Sequence, residues 1–228
     1  MCFNVAIDGP SGAGKSVIAL KIADKYNLLH INSGAMYRVI ALKVLKTNTD
    51  KDDENAIINI IQSTKITLLP KQVVYMDGED VTQAIRHEEI SKLSSYISKH
   101  KMVRKLLVEQ QKEMVRSKNC IMEGRDITTV VIPDAEIKIY LTASVDVRAK
   151  RRYLDLVNRN MQADLDVIKL DIINRDTQDM NRTESPLVQA PDAHVVDSSY
   201  LSIDETVEEI SKYIDDFKVR NRKDDCYD

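Results

Sequence analysis

Residues 9–16 read Gly9-Pro10-Ser11-Gly12-Ala13-Gly14-Lys15-Ser16, a complete match to G-x-x-x-x-G-K-[ST]. No other stretch limits the chain as tightly. The apolar run 3–7 precedes it, and from Val17 to Tyr26 apolar residues recur at helical spacing. Strand, glycine turn and helix start, in that order, make a cradle. Glycines let backbone N–H groups close around phosphate oxygens with no Cβ in the way, and the helix N-terminus adds the positive end of its dipole. Lys15 is expected to reach the β- and γ-phosphates of a nucleotide, and the Ser16 hydroxyl to ligate Mg²⁺. An ordinary glycine-rich turn would not need this strand–turn–helix context.

The rest of the chain repeats the alternation. Residues 28–31 read as a second strand, 34–46 as a helix, and 47–53 as a polar loop whose Asp53 N-caps a helix to 62. Then the period changes. Residues 66–69 and 72–76 are short and β-rich, with Pro70-Lys71 between them and Asp77-Gly78 after, which predicts an antiparallel hairpin or meander inserted over about 63–86. Helices are expected at 88–98 and 101–117, strands at 120–122 and 136–141, and helices at 144–160 and 163–180. A last strand at 193–196 and a helix at 203–217 follow, with a frayed polar tail over 220–228. Short apolar strands alternating with helices give an α/β fold, a central parallel sheet covered on both faces.

Composition narrows the function. At 228 residues and 43% hydrophobic, the chain can build a core without disulfide or metal staples. No apolar run nears the ~20 residues of a membrane span, and the first residues carry no basic segment of a signal peptide. Cys2, Cys120 and Cys226 are odd in number and far apart, which fits a reduced, cytoplasmic setting. A net charge of -3, no Trp and only two Phe argue against nucleic acid as a partner. Basic residues nevertheless cluster at 148–152 and 175–182, enough to serve a small anion.

Further constellations carry chemistry. Ser33-Gly34 opens a helix and Arg38 lies about one turn in, able to fork onto a phosphate; a capped helix with a surface arginine is the plainer reading. Arg125-Asp126 follows a sheet strand, at the edge where α/β sheets bind ligands, although the two residues could be a local ion pair. Arg175, Asp179 and Arg182 share one helical face, as would an exposed ion-paired surface. Arg148, Arg151 and Arg152 form a basic edge or a solvated charge run. Guanine specificity would need a late Asn-Lys-x-Asp, which is absent, and strand 120–122 ends in a single acid, Glu123, rather than paired acids.

Together these stretches resemble the bacterial cytidylate kinases, P-loop kinases of the nucleoside monophosphate kinase class. The similarity runs through Ile7 to Ser16, Ser33-Gly34-Ala35-Met36-Tyr37-Arg38, Asp77-Gly78-Glu79-Asp80-Val81 and Gly124-Arg125-Asp126. It continues through Val130-Val131-Ile132-Pro133-Asp134-Ala135, Lys138-Ile139-Tyr140-Leu141 and the segment from Arg175-Asp176 to Asn181-Arg182. It implies a core (about 1–62, 99–145 and 186–220), a monophosphate-binding insert (about 63–98) and a lid (about 146–185). It also implies transfer from ATP, with Mg²⁺, to CMP or dCMP by a cytoplasmic monomer. Carried over by position, Ser33, Arg38, Ser95, Arg104, Arg125, Asp126, Arg175, Asp179 and Arg182 would line the CMP site. Arg151 and Arg152 would join the loop 9–17 at ATP, and Lys15, Arg125 and Arg182 would act on the transferring group. Two departures stand out: Asn32 where many relatives carry an acid, and Glu123 where relatives often carry Asp. A carboxylate accepts hydrogen bonds only, so Asp126 is the candidate that favours cytosine N4–H₂ over uracil O4, with Ser95 and Arg104 on the other edge atoms. The alternative is that Asp126 only holds Arg125. Another small-molecule kinase acting on UMP or AMP, a non-catalytic nucleotide switch and a nucleic-acid-associated ATPase remain as other classes.

Overall fold

A computed structural model describes residues 2–116 and 119–224. Cys226, the tail from residue 225 and the last expected residue of the helix 101–117 lie outside the described residues. The main sheet contains β1 (Val5–Asp8), β2 (Leu29–Asn32), β6 (Cys120–Gly124), β7 (Ile137–Thr142) and β8 (His194–Asp197), in the order β2-β6-β1-β7-β8. Every pairing is parallel. β1 is central and buried along its whole length. The chain leaves β1 through α1 (Lys15–Tyr26) for β2 on one side, and β7 lies on the other. The loop after β1 therefore opens at the point where the connections diverge, the crevice in which such sheets bind ligands.

Apolar side chains on the two sheet faces account for the layers. Val5, Ile7, Ile139 and Leu141 pack with Ile18 and Ile22 of α1 and with Ile210 and Ile214 of α8 (Ile203–Asp224). On the opposite face Ala6, Ile31 and Met122 meet Ile127 and Val108, the latter from α5 (Lys101–Met114). Each fully buried Ile or Leu contributes ~1.5–3 kcal/mol. A third cluster joins α2 (Ser33–Lys46) and α3 (Glu54–Ser63) to the three-stranded antiparallel sheet β3 (Ile66–Leu69), β4 (Val73–Met76) and β5 (Glu79–Asp80). It also takes in α4 (Glu88–Ile97) and α5, through Ile40, Ile57, Val74, Ile90 and Leu107. The β-rich segment thus shares one core with helices before and after it. A fourth, small cluster of Ala149, Leu156, Ile168 and Ile172 belongs to α6 (Val145–Asn158) and α7 (Leu165–Asn181) alone.

Helix starts follow the capping chemistry of the sequence. The Asp53 carboxylate accepts from the Ala56 amide at 2.9 Å, and the Ser144 hydroxyl from Val147 at 3.3 Å. Three features differ from expectation. α8 runs to Asp224, so the expected frayed tail begins inside a helix. Arg148 is buried rather than on a solvated edge. Between β6 and β7 stands a wide helical turn, Ile127–Val131, that no periodicity signalled. Asp8, at the end of β1, holds that turn: its carboxylate accepts from the Ile127 amide (2.9 Å), the Thr128 amide (2.7 Å) and the Thr128 hydroxyl (2.6 Å). Burial pushes the Asp8 carboxyl up despite these bonds.

Gly9 is where sheet and loop touch. Its φ is +150°, and a Cβ there would stand 1.9 Å from the Leu141 carbonyl oxygen of β7. Gly9→Ala is expected to cost at least about 2 kcal/mol, from backbone strain and overpacking together, read as a lower urea midpoint at unchanged slope.

Candidate active site

A cleft of about 1210 Å³ lies across the carboxyl ends of the main sheet, lined by the loop after β1, the start of α2, α4, the end of β6, and α6 and α7. Of the expected site residues, all but Gly9 and Pro10 line it. Those two hold Lys15 from behind: their carbonyl oxygens accept from Lys15 Nζ at 2.6 and 2.8 Å. Ser11, Gly12, Ala13, Gly14, Lys15, Ser16 and Val17 face the space. Gly12 and Gly14 have φ of +77° and +91°, which turns the chain into α1, and no side chain caps that helix. Its first-turn amides are therefore donors for an anion. Burial, then the nearby Arg125 charge, holds the Lys15 ammonium well below its ordinary 10.5.

Ser16 has company that the motif does not contain. Its hydroxyl donates to Glu123 Oε2 at 2.8 Å and lies 3.3 Å from Asn32 Nδ2. Glu123 Oε1 is 3.2 Å from His30 Nε2. Asn32 also caps α2, accepting from the Ala35 amide at 2.9 Å. Strand pairing explains the convergence: Glu123 stands opposite both Ile7 of β1 and Asn32 of β2.

The other half of the cleft is cationic. Arg38, Arg104, Arg125, Arg175 and Arg182 converge there. Arg125 Nε donates to Asp179 Oδ2 at 2.8 Å, and Arg182 Nη1 to Asp179 Oδ1 at 3.2 Å. Arg104 Nη2 donates to Asp126 Oδ2 at 2.6 Å, both side chains nearly fully buried. Arg175 Nη1 lies 3.3 Å from Ser91 Oγ, and Gln178 Nε2 donates to the Ser95 carbonyl (2.8 Å) and hydroxyl (3.2 Å). Ser33 Oγ donates to the Glu123 carbonyl oxygen at 2.7 Å. Burial, with Arg125 adding to it, brings Arg175 down to about 10. Burial pushes the Asp179 carboxyl up, but Arg125, Arg175 and Arg182 outweigh it and hold it below its usual range. Burial pushes the Tyr37 hydroxyl up to about 12, against the opposing charge of Arg104 beside its ring.

Several donors in this half have no partner among the described residues although they are buried: Arg104 Nε, Arg175 Nε, Arg182 Nη2 and the Tyr37 hydroxyl. Unpaired buried donors beside surplus positive charge suit a ligand with anionic and hydrogen-bonding groups. Arg151 and Arg152 also line the cleft. Arg151 is tied to Ser198 (2.6 Å to its carbonyl, 3.1 Å to its hydroxyl) and Arg152 to Asp155 (3.2 Å). The alternative reading of Asp126 falls away. Asp126 does not hold Arg125; its partner is Arg104, brought from α5, while Arg125 turns to α7.

The sequence model of the cytidylate kinase family matches residues 5–216. The chain belongs to the cytidylate kinase family. It is 45% identical over 206 residues to the cytidylate kinase of Alkaliphilus oremlandii, covering 90% of this chain and 94% of that one. It is 46% identical over 210 residues to that of Caldicellulosiruptor bescii, at 91% and 93% coverage. A crystal structure of an uncharacterized protein from Eubacterium ventriosum shares the fold at 13% identity, with a TM-score of 0.51 over 93% of this chain and 98% of that one. Asn32 and Glu123 stand side by side at Ser16 of this cytidylate kinase-family chain. The site reading of the sequence left out Glu123, Tyr37 and Asp176. A signal for Glu123 existed, since it ends the strand next to β1; none existed for Tyr37, whose position follows from packing.

Lys15→Met should lower kcat by about 100-fold or more while leaving the fold intact. With its proton affinity depressed, the folded protein binds fewer protons than the unfolded chain between the lowered Lys15 value and 10.5. Wild-type stability therefore gains across that window as pH rises. Lys15→Met should be at least as stable as wild type at neutral pH, with its advantage shrinking toward pH 10.5, in urea titrations at several pH values.

Proposed function

We propose that the chain transfers the γ-phosphoryl group of ATP to CMP or dCMP, giving ADP and CDP or dCDP. The observation that carries this reading is the group of half-buried to buried guanidiniums, several with buried unpartnered donor atoms, facing the Lys15 loop across one cleft. An acceptor phosphate oxygen, already anionic, attacks the γ-phosphorus; the bond to the β–γ bridging oxygen breaks and its electron pair leaves with ADP. No protein base is required. The obstacle is repulsion between two polyanions, and catalysis is positioning plus charge stabilisation.

In this reading residues 9–17 hold the ATP phosphates, with Arg151 and Arg152 above them. Lys15, Arg125 and Arg182 neutralise charge on the transferring group. Arg38, Ser33 and Arg175 bind the acceptor phosphate and sugar with Asp179, and Ser95, Arg104 and Asp126 read the base. The segments 63–98 and 146–185 act as acceptor insert and lid around the remaining core. The oxygens at Ser16 fit Mg²⁺: the hydroxyl and the Glu123 carboxylate are hard ligands, and this ion takes one or two protein oxygens beside phosphates, whereas Asn32 turns its Nδ2 donor to Ser16 and its Oδ1 to the Ala35 amide. Bound there through Ser16 and Glu123, the ion would neutralise phosphate charge. We read the chain as acting as a monomer; a cytoplasmic setting without nucleic acid follows the composition. No described helix is long and apolar enough to cross a membrane.

ADP release, measured with CMP, dCMP, UMP, AMP and GMP as acceptors, tests the proposal. Turnover should be highest with the two cytidylates, and equal or greater turnover with AMP or UMP overturns it. Asp126→Asn replaces an acceptor-only group by one that also donates. The ratio of kcat/KM for CMP over UMP should fall at least about tenfold, since each misplaced bidentate contact costs about 1–3 kcal/mol. Because Asp126 also pairs with Arg104, the ratio and not the absolute rate is the readout; an unchanged ratio assigns Asp126 to holding Arg104 alone.

A further inference from the structure

α7 carries two opposed functions one residue apart. Arg175 faces the cationic half of the cleft, while Asp176 turns to the loop after β1. The Asp176 carboxylate, buried, accepts from the Ser11 amide at 3.0 Å through Oδ1 and from Arg148 Nη1 at 2.6 Å through Oδ2. Arg148 Nη1 also donates to the Ser11 carbonyl oxygen at 2.8 Å, and its Nε to the Ala143 carbonyl at 2.8 Å. Ser11 is therefore gripped at both backbone groups, its N–H by α7 and its C=O by α6.

The grip matters because of what else holds these helices. α6 and α7 pack on each other through their own small apolar cluster, separate from the sheet cores. Further links from α7 across the cleft are polar: Asp179 with Arg125, Gln178 with Ser95 and Arg175 with Ser91. A helical pair attached by hydrogen bonds rather than by an apolar core can shift as a unit. Whatever seats α7 against acceptor-side residues also seats Asp176 on the phosphate-binding loop.

We propose that Asp176, through Ser11 and Arg148, is a positioning residue that couples occupancy of the ATP loop to occupancy of the acceptor site. The inference rests on the nucleotide assignment above. An acceptor that fixes Arg175 and Asp179 holds α7 in place and with it the Ser11 turn; a nucleotide on the loop does the reverse. Coupling of this kind is reciprocal, the same factor appearing in each affinity.

The test is calorimetric binding of CMP to wild type, Asp176→Ala and Asp176→Asn, each with and without Mg²⁺ and the imido analogue of ATP. Wild type should bind CMP at least about fivefold more tightly when the analogue is present. In Asp176→Ala that factor should fall below about twofold, with CMP affinity by itself changed less than about threefold. In Asp176→Asn, which keeps an acceptor for the Ser11 amide but loses the charge facing Arg148, it should be intermediate. If Asp176→Ala does not fold, Asp176→Asn decides: a coupling factor equal to wild type overturns the proposal. So does wild-type coupling in the alanine variant, or equal loss of both affinities at unchanged coupling, which marks a purely structural contact. Absence of coupling in wild type also overturns it while leaving the nucleotide assignment intact; failure of either nucleotide to bind overturns that assignment and this proposal with it.

Discussion

Positive charge gathered in excess of negative in one half of a cleft, and partly withdrawn from solvent, is the constraint around which this molecule is arranged. Arg38, Arg104, Arg125, Arg175 and Arg182 gather in one half of the cleft, with Asp126 and Asp179 as their direct carboxylate partners there. Desolvating a guanidinium without full pairing is costly, and here part of that cost stands uncompensated, visible in the unpartnered Nε and Nη atoms. The sheet and its clusters supply the stability that tolerates it. A site held in this condition gains most from a ligand that brings its own negative charge, which is the demand of an enzyme that must hold two phosphorylated substrates close together.

The same economy appears at the loop after β1. Lys15 is buried and hydrogen-bonded to the carbonyls of Gly9 and Pro10, and α1 begins without a side-chain cap. Preorganised donors cost no rearrangement when charge arrives, and a low dielectric makes each worth more than in water. Gly9 makes this possible by letting β1 end against the Leu141 carbonyl with no side chain between. Asp8, one residue earlier, anchors the turn that follows Arg125-Asp126, so a single strand end organises both halves of the cleft.

Local patterns in the chain were legible to the degree that they depend on near neighbours. Asp53 and Ser144 act as the helix caps that their spacing announced, and the β-rich segment pairs antiparallel as its change of period implied. The extension of α8 to Asp224 was missed because polar residues carry no apolar stripe, and the turn Ile127–Val131 because it depends on Asp8, 119 and 120 residues away. Arg148 read as part of a basic edge or of a solvated run; its burial follows from the Ser11 carbonyl and Asp176 that meet it.

By itself, the sequence determined the phosphate-binding loop and the strand–helix alternation, since glycine conformations, capping and periodicity act over a few residues, while Ser95, Arg104 and other cleft residues were reached only through the family resemblance. Tertiary structure alone decided the pairings among those residues: Asp126 with Arg104 rather than Arg125, Arg125 with Asp179, Ser16 with Glu123, and Asp176 with Ser11. The physical reason is range. A charged side chain takes its partner from whichever elements the sheet order and the buried apolar clusters bring within about 3 Å, and that choice is written in packing among distant segments, not in the spacing along any one of them.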